Sequence, residues 1–139
     1  MEILLIDDNP GDVRLMRESL KEAEMQINLH VVRDGLGAMA FLRKEDMYAD
    51  RPRPDLILLD LNLPKKDGRE VLIEIKQDPD LKRIPVVILT GSVSEEDVIG
   101  SYDCHANCYI IKPFELNQFI EVIKSIEKFW FSIVKLPSE

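Results

Sequence analysis

Four short runs of consecutive apolar residues set the strongest constraint on what this chain can fold into. A continuous apolar run of this kind is typical of a strand that is covered on both faces. The runs are residues 3–6, 56–59, 86–89 and 108–111, and residues 29–32 form a fifth, less apolar candidate. Between them, apolar residues recur three or four positions apart, which indicates amphipathic helices. These helices are predicted at about 10–24, 36–44, 68–77, 95–103 and 115–134.

Five strands that alternate with five helices predict an α/β fold. Parallel crossovers are right-handed and place helices on both faces of the sheet. We therefore expect a (βα)5 doubly wound five-stranded parallel sheet. No repeat, low-complexity tract or linker divides the chain, so residues 1–139 are predicted to be one domain with an extended C-terminal helix at about 115–134.

The charge balance excludes some classes of function. Lys and Arg number 18 against 26 Asp and Glu, so the formal net charge is −8. Binding to nucleic acid or to an anionic membrane needs clustered positive charge, and we expect neither. The apolar runs are far shorter than the ~20 residues of a membrane helix. The start of the chain lacks a basic and apolar signal segment, so a cytoplasmic location is expected.

Polar residues follow the apolar runs at the strand ends. They are Asp7, Asp8, Asp60, Thr90 and Lys112. In parallel α/β sheets ligands bind beyond the carboxyl ends of the strands. Three carboxylates at one edge would repel each other unless a cation were bound, and hard oxygen ligands without His or Cys favour Mg²⁺. Together with an amine and a hydroxyl, this set predicts chemistry on a phosphoryl group.

Each of these residues also has a purely structural explanation. Asn9 and Pro10 form a good helix start, so a neighbouring acid could serve only the helix dipole. Asp60 could form a turn, Lys112 could be a solvated loop residue, and Thr90 could begin an ordinary turn. The coincidence of all five at successive strand ends favours function.

Longer motifs surround the strand-end residues. They are the Asp7-Asp8 pair, DLNLPKKDG at 60–68, Thr90-Gly91 and YIIKPF at 109–114. Together they resemble the receiver domain of two-component response regulators, over nearly the whole chain. Segments 8–13, 65–70, 105–109 and 129–131 resemble single-domain regulators that serve phytochrome-type sensor kinases. The resemblance implies a flavodoxin-like receiver fold and a phosphorylation-controlled signalling switch rather than an enzyme.

The resemblance also implies how the phosphoryl group is received. Asp60 would be the phosphoacceptor and take the group from a phosphohistidine of a sensor histidine kinase. Asp8 and Asp60 would ligate Mg²⁺ directly, the backbone carbonyl of Asn62 would add a further oxygen, and Asp7 would act mainly through water. Lys112 would pair with the phosphoryl oxygens.

The resemblance implies roles for other residues in conformational switching and in hydrolysis of the phosphoryl group. Thr90 would hydrogen-bond a phosphoryl oxygen, and Tyr109 would be the switch aromatic that turns inward when Thr90 moves. Gly91 would leave the acceptor open to a donor. The side chains of Asn62 and Ser92 would flank the path of the hydrolytic water.

The predicted last helix carries more apolar residues than one packed face requires. One face is predicted to pack on the sheet through Leu116, Phe119, Ile120, Ile123, Ile126, Trp130 and Ile133. A second set consists of Val122, Phe129, Phe131 and Val134. A homodimer through the C-terminal helix region would cover that set, and a local bend or residues 134–137 could cover it instead. We expect no effector domain in this chain, so output is expected through contact with a downstream protein. The family resemblance implies that the fourth helix, fifth strand and fifth helix form the contact surface.

Three competing interpretations remain. A haloacid-dehalogenase-like phosphatase also uses a strand-end Asp, but it needs an acid two residues later, where Asn62 stands and cannot serve as a general acid. An interaction module could keep the fold and use no phosphoryl group. Cys104, His105 and Cys108 suggest a metal site but fall short of about four ligands, so two reduced structural thiols are the expectation.

Overall fold

The computed structural model of the protein describes residues 1–113 and 115–137. Phe114, the last residue of the 109–114 motif, and residues 138–139 of the predicted domain lie outside the described residues. One parallel sheet contains five strands in the order β2-β1-β3-β4-β5. They are β1 (Glu2–Ile6), β2 (Asn28–Val32), β3 (Leu56–Leu59), β4 (Val86–Thr90) and β5 (Cys108–Ile111). The predicted fold class is confirmed.

Helices alternate with these strands along the chain. They are α1 (Pro10–Leu20), α2 (Gly35–Leu42), α3 (Gly68–Gln77), α4 (Glu95–Asp103) and α5 (Leu116–Ile126), and a short 3₁₀ turn covers Asp46–Tyr48. The bounds of α3 and α4 agree with the prediction. The first helix is shorter than the predicted 10–24, because the backbone amides of Glu24 and Met25 turn away to bond the Glu127 carboxylate at 3.2 and 2.7 Å.

Polar side chains fix where four of the helices begin. Asn9 caps α1, Asp34 caps α2, Asp67 caps α3 and Ser94 caps α4, each by accepting from a backbone amide in the first turn. Such caps stabilise a helix end by about 1 kcal/mol each. Because these caps lie in loops that follow strands, the first turns of α1, α3 and α4 lie beside the carboxyl edge of the sheet.

Two apolar layers cover the sheet. Leu4 and Ile6 of β1 face a layer that includes α2 and α3, whereas Ile3 and Leu5 face a layer that includes α1 and α5. Strands β1, β3 and β4 are buried along nearly their whole length, as the continuous apolar runs predicted. The same prediction is wrong for residues 108–111, because β5 is an edge strand and is only partly buried. In the described part of the chain, no helix is both long enough and apolar enough to span a membrane.

The C-terminal helical segment changes geometry partway. After α5 ends at Ile126, residues Glu127–Ile133 form a π-helix, in which backbone bonds reach five residues rather than four, and the amide of Val134 likewise bonds the carbonyl of Phe129 at 2.9 Å. The wider turn rotates the following side chains relative to an α-helix. Glu127, the first residue of this π-helix, follows the buried face of α5 into the interior, where it is only 6% exposed.

The predicted apolar face of this segment is therefore correct only in part. Phe119, Ile123 and Ile126 are buried, but Ile133 is 64% exposed because the π-helix turns it off the sheet. Leu116 is 40% exposed because it is the first helical residue, at the margin of the packed layer. Trp130 of the first predicted face packs against the core. Of the second predicted set, Val122 and Phe131 also pack against the core, while Phe129 is 51% exposed.

Candidate functional site

The carboxyl edge of the sheet brings the predicted strand-end residues together. Asp7 follows β1, Asp60 follows β3, Thr90 ends β4 and Lys112 follows β5. Backbone bonds extend the ladder into the site, since the amide of Asp60 donates to Ile6 and that of Lys112 donates to Thr90. All four side chains are buried, in contrast to Asp8, which is exposed.

The carboxylate of Asp60 accepts bonds at both oxygens. Oδ1 accepts from the Thr90 hydroxyl at 2.8 Å and from the backbone amide of Asn62 at 3.1 Å. Oδ2 accepts from the Lys112 ammonium at 2.7 Å. The sequence therefore folds so that a hydroxyl from β4 and an amine from the end of β5 converge on the acid at the end of β3.

Lys112 is shared by three carboxylates. Its Nζ lies 2.8 Å from Oδ2 of Asp7, 2.8 Å from Oδ2 of Asp12 and 2.7 Å from Oδ2 of Asp60. Burial lowers the pKa of Lys112, but the hydrogen bonds to Asp12, Asp60 and Asp7 outweigh it and hold the pKa above its usual value. The side chain is an ammonium ion at neutral pH. Burial also raises the pKa of Asp7, against the opposing bond from Lys112.

The acidic cluster is suited to a divalent cation. Asp7, Asp8 and Asp60 each offer a carboxylate oxygen, and these oxygens lie within 4.8 Å of one another. Three carboxylates, those of Asp7, Asp12 and Asp60, contact one ammonium, and Asp8 adds a fourth carboxylate to the cluster, so the site carries excess negative charge. Hard oxygen donors in this number are the ligands that Mg²⁺ prefers. The residues present therefore fit the predicted Mg²⁺.

An open cavity of about 370 Å³ lies above the cluster. Its described lining consists of Asp8, Asn9, Asp12, Asp60, Asn62, Gly91, Lys112 and Pro113. A group that enters from solvent can reach Asp60 through this cavity, although the Asp60 side chain itself is buried. The cavity is large enough for a phosphoryl group, and it places the buried acid within reach of one.

Asp12 is a site residue that the sequence analysis missed. It lies in the first turn of α1, and its carboxylate contacts Lys112 directly. The missed signal is its position four residues after Asp8. Once Asn9 is assigned as the helix cap, the first turn of α1 must lie beside the strand end, and an acid at that position faces the same cavity.

The structure places only some of the other predicted site residues at the cavity. Asn62 and Gly91 line the cavity, but Ser92 is not among its described lining residues. The Ser92 hydroxyl instead donates to Asp97 at 2.6 Å. The Tyr109 hydroxyl donates to the carbonyl oxygen of Ser92 at 2.9 Å, so this aromatic side chain contacts the loop between β4 and α4. Burial is the main reason that the pKa of Tyr109 is raised.

Cys104 and Cys108 belong to no metal-binding group of three or more side chains in the described part of the chain. Both are free and partly buried. Within residues 1–113 and 115–137, Asp7, Asp8 and Asp60 form the only group of three or more acidic, histidine or cysteine side chains arranged to hold a metal ion. Burial raises the pKa of the Cys108 thiol, which agrees with a structural rather than a reactive thiol.

The sequence is similar to known response regulators. The family model described as "Response regulator receiver domain" matches residues 3–124. The response regulator Rcp1 of Synechocystis sp. is 56% identical over 136 residues, which cover 98% of this chain and 92% of Rcp1. The DivK polar-differentiation response regulator of Brucella anthropi is 36% identical and covers 88% of this chain and 93% of its own.

Solved structures of response regulators share the fold of this chain. The phosphorylated cyanobacterial phytochrome response regulator RcpA superposes with a TM-score of 0.93 at 56% identity, over 99% of this chain and 98% of that chain. The Mn²⁺-bound form of Rcp1 gives a TM-score of 0.91 at 55% identity, over 99% of each chain. Because the family model covers residues 3–124 and relatives of this similarity share the fold over nearly the whole chain, the chain belongs to the receiver domain family of two-component response regulators.

Proposed function

We propose that Asp60 accepts a phosphoryl group from a phosphohistidine of a sensor histidine kinase. The observation that carries this proposal is the convergence of the Thr90 hydroxyl and the Lys112 ammonium on the Asp60 carboxylate beside an open cavity. A buried carboxylate bonded to an ammonium ion and a hydroxyl contributes little stability beyond what well-packed apolar side chains of similar volume would contribute. The ammonium and the hydroxyl are well placed to bind the oxygens of an incoming phosphoryl group.

The transfer requires the charges of the acid and of the donor to be offset together. An oxygen of Asp60 forms a bond to phosphorus while the bond from phosphorus to the imidazole nitrogen breaks, and the imidazole keeps that electron pair. Lys112 neutralises part of the charge, and its ammonium already lies 2.7 Å from Oδ2 of Asp60. Asp8, Asp60 and the backbone carbonyl of Asn62 would hold Mg²⁺ directly and Asp7 through water. Bound there, the ion would offset phosphoryl charge.

The product is an acyl phosphate, and it would change the contacts of Thr90. The Thr90 hydroxyl now bonds Asp60 Oδ1 and would instead bond a phosphoryl oxygen. Movement of Thr90 pulls on the loop that Tyr109 contacts at Ser92, so Tyr109 would turn inward. A shift from mostly inactive to mostly active needs about 5 kcal/mol of differential stabilisation. Charge-assisted bonds to the phosphoryl group supply energies of this order. The surface formed by α4, β5 and α5, changed by these movements, would then bind a downstream protein.

The test is intact mass spectrometry after incubation with acetyl phosphate, with and without Mg²⁺. The native chain is expected to gain a single phosphoryl adduct that depends on Mg²⁺, and Asp60→Asn is expected to gain none. Asp67→Asn is the matched control, because Asp67 is an exposed helix cap in the following loop and Asn caps equally well. An adduct that persists in Asp60→Asn would overturn the proposal.

The same variant separates the alternative functions. Continuous turnover of an external phosphate ester, lost in Asp60→Asn, would indicate a phosphatase. Unchanged signalling and partner binding by Asp60→Asn would indicate an interaction module that uses no phosphoryl group. The receiver function predicts neither of these results, and predicts instead one phosphoryl group per chain.

We also propose that the kinase is of the phytochrome type. The support is the similarity to the phytochrome response regulator RcpA and to the bacteriophytochrome response regulator AtBRR, which is 40% identical with a TM-score of 0.76 over 99% of this chain and 97% of that chain. The expected result is faster phosphotransfer from a purified phytochrome-type kinase than from an unrelated histidine kinase. Equal rates would contradict this choice of partner.

A homodimer through the C-terminal helical segment is the third part of the proposal. Phe129 and Ile133 expose 51% and 64% of their surface on this segment, and Ile111 of edge strand β5 exposes 51%. A second copy of the chain is the commonest way to cover such a surface. Sedimentation is expected to show a dimer that Phe129→Ser weakens. A monomer at high concentration, phosphorylated or not, would remove this part of the proposal.

A further inference from the structure

The loop between β4 and α4 is tied down through Ser92. The Ser92 hydroxyl donates to Oδ2 of Asp97 at 2.6 Å, and the backbone carbonyl of the same residue accepts from the Tyr109 hydroxyl at 2.9 Å. Asp97 in turn accepts at Oδ1 from the guanidinium of Arg69. A residue two positions after Thr90 is thus bound directly to α4 and β5, and through Asp97 to α3.

Asp97 is itself fixed from two directions. Its backbone amide donates to the Ser94 cap of α4, so the position of the residue is set by the helix start. Its carboxylate is paired with Arg69, which lies in the first turn of α3, and both side chains are about one third exposed. The Arg69 guanidinium packs beside Gly100 of α4. A Cβ on Gly100 would lie 3.4 Å from the guanidinium. Charge-assisted bonds of this kind are stronger than neutral ones.

We propose that Asp97, held by Arg69, is a positioning residue that turns the Ser92 hydroxyl away from the Asp60 cavity and so slows loss of the phosphoryl group. The proposal rests on the proposed role of Asp60. Asn62 and Gly91 line the cavity, whereas Ser92 is not among its described lining residues although it directly follows Gly91. Its hydroxyl is occupied by Asp97 instead.

The chemistry of hydrolysis explains why this orientation matters. A water oxygen attacks phosphorus opposite Asp60, the bond from phosphorus to the Asp60 oxygen breaks, and the carboxylate recovers that electron pair. The water loses a proton to solvent, and inorganic phosphate leaves. A hydroxyl at the cavity mouth could hold this water in line for attack. When Asp97 keeps the Ser92 hydroxyl, the water lacks that partner.

The experiment measures how fast the phosphorylated protein decays. The full chain is phosphorylated with acetyl phosphate and Mg²⁺, the donor is removed, and the remaining adduct is followed by intact mass spectrometry. Asp97→Ala is expected to shorten the half-life by about two- to tenfold, the range that one hydrogen bond supplies. Glu96→Ala is the matched control, because Glu96 is an exposed acid in the same helical turn.

A double variant separates positioning from a general loosening of the loop. Ser92→Ala alone is expected to decay at nearly the native rate, since its hydroxyl already points elsewhere. In the Ser92→Ala background, the added Asp97→Ala change is expected to have no effect. If Asp97→Ala does not fold, as judged by circular dichroism, Arg69→Gln replaces it and is expected to act in the same direction.

Two results would overturn the inference. Decay at the native rate in Asp97→Ala would do so, as would an acceleration that persists in the Ser92→Ala background. Failure of the native chain to form any adduct is a different outcome, because it contradicts the role of Asp60 and precedes every decay measurement.

Discussion

Replacing Lys112 by Met is expected to strengthen Mg²⁺ binding while it impairs phosphoryl transfer. Lys112 now donates to three carboxylates, among them Asp7 and Asp60 of the acidic cluster. A cation that binds these oxygens must displace at least one of the ammonium bonds. Met has a similar length and no charge, so it removes the competitor without leaving a large cavity.

The size of the effect follows from those contacts. A hydrogen bond to a charged group contributes about 1.5–3 kcal/mol net of the water it replaces. If the ion displaces one such bond in the native chain and none in Lys112→Met, the dissociation constant for Mg²⁺ falls by roughly 10- to 150-fold. The reduced repulsion between the ion and the ammonium acts in the same direction.

Isothermal titration calorimetry with MgCl₂ measures this directly. Lys65→Met is the matched control, because Lys65 lies in the loop after β3 and its ammonium is near Asp34 rather than the acidic cluster. Its exposed charge is screened, so a change of less than about twofold is expected. The gain in melting temperature on adding Mg²⁺ is expected to be larger for Lys112→Met than for the native chain. Unchanged or weaker Mg²⁺ binding by Lys112→Met would refute the competition.

Three further substitutions, two of them with a matched control substitution, test the contacts that stabilise the site and the segments around it. Thr90→Val leaves Asp60 Oδ1 without its hydroxyl donor and is expected to cost about 1–3 kcal/mol of unfolding free energy in urea. Thr90→Ser keeps the donor, so equal losses in the two variants would contradict this. Gly68→Ala would place a Cβ 2.2 Å from the Asp60 carbonyl oxygen and is expected to cost about 1–3 kcal/mol, whereas Gly91→Ala meets nothing within 4 Å and is expected to change stability by less than about 0.5 kcal/mol. Similar changes in melting temperature for Gly68→Ala and Gly91→Ala would be inconsistent with the close approach of Gly68 to the Asp60 carbonyl oxygen. Glu127→Gln weakens two bonds to the loop after α1 and is expected to cost about 1–3 kcal/mol in urea, so native stability would count against this anchor.

The strand-end residues could be predicted because the sheet fixes their position without detailed packing. Continuous apolar runs identify the buried strands, and the residue after each run must lie at the carboxyl edge. That reasoning places Asp7, Asp60, Thr90 and Lys112, all of which the structure brings together. Asp12 was missed because its contact depends on the rotation of α1, which the Asn9 cap determines.

Two other features depended on tertiary contacts that no local pattern specifies. The π-helix at the C-terminal segment accompanies burial of Glu127 against backbone amides more than 100 positions earlier in the chain. A helical-spacing argument assumes a constant turn, so it placed Ile133 on the wrong side. Likewise, the orientation of Ser92 is set by Asp97 and Arg69, which belong to two different helices.

The most direct test of the central claim is to locate the phosphoryl group in the phosphorylated chain. Borohydride reduces an aspartyl acyl phosphate to homoserine, and peptide mass spectrometry then identifies the position that has changed. After treatment with acetyl phosphate and Mg²⁺, conversion to homoserine is predicted at position 60 and at no other Asp. Conversion at Asp8 or Asp12 instead, or phosphorylation that leaves Asp60 unreduced, would contradict the account.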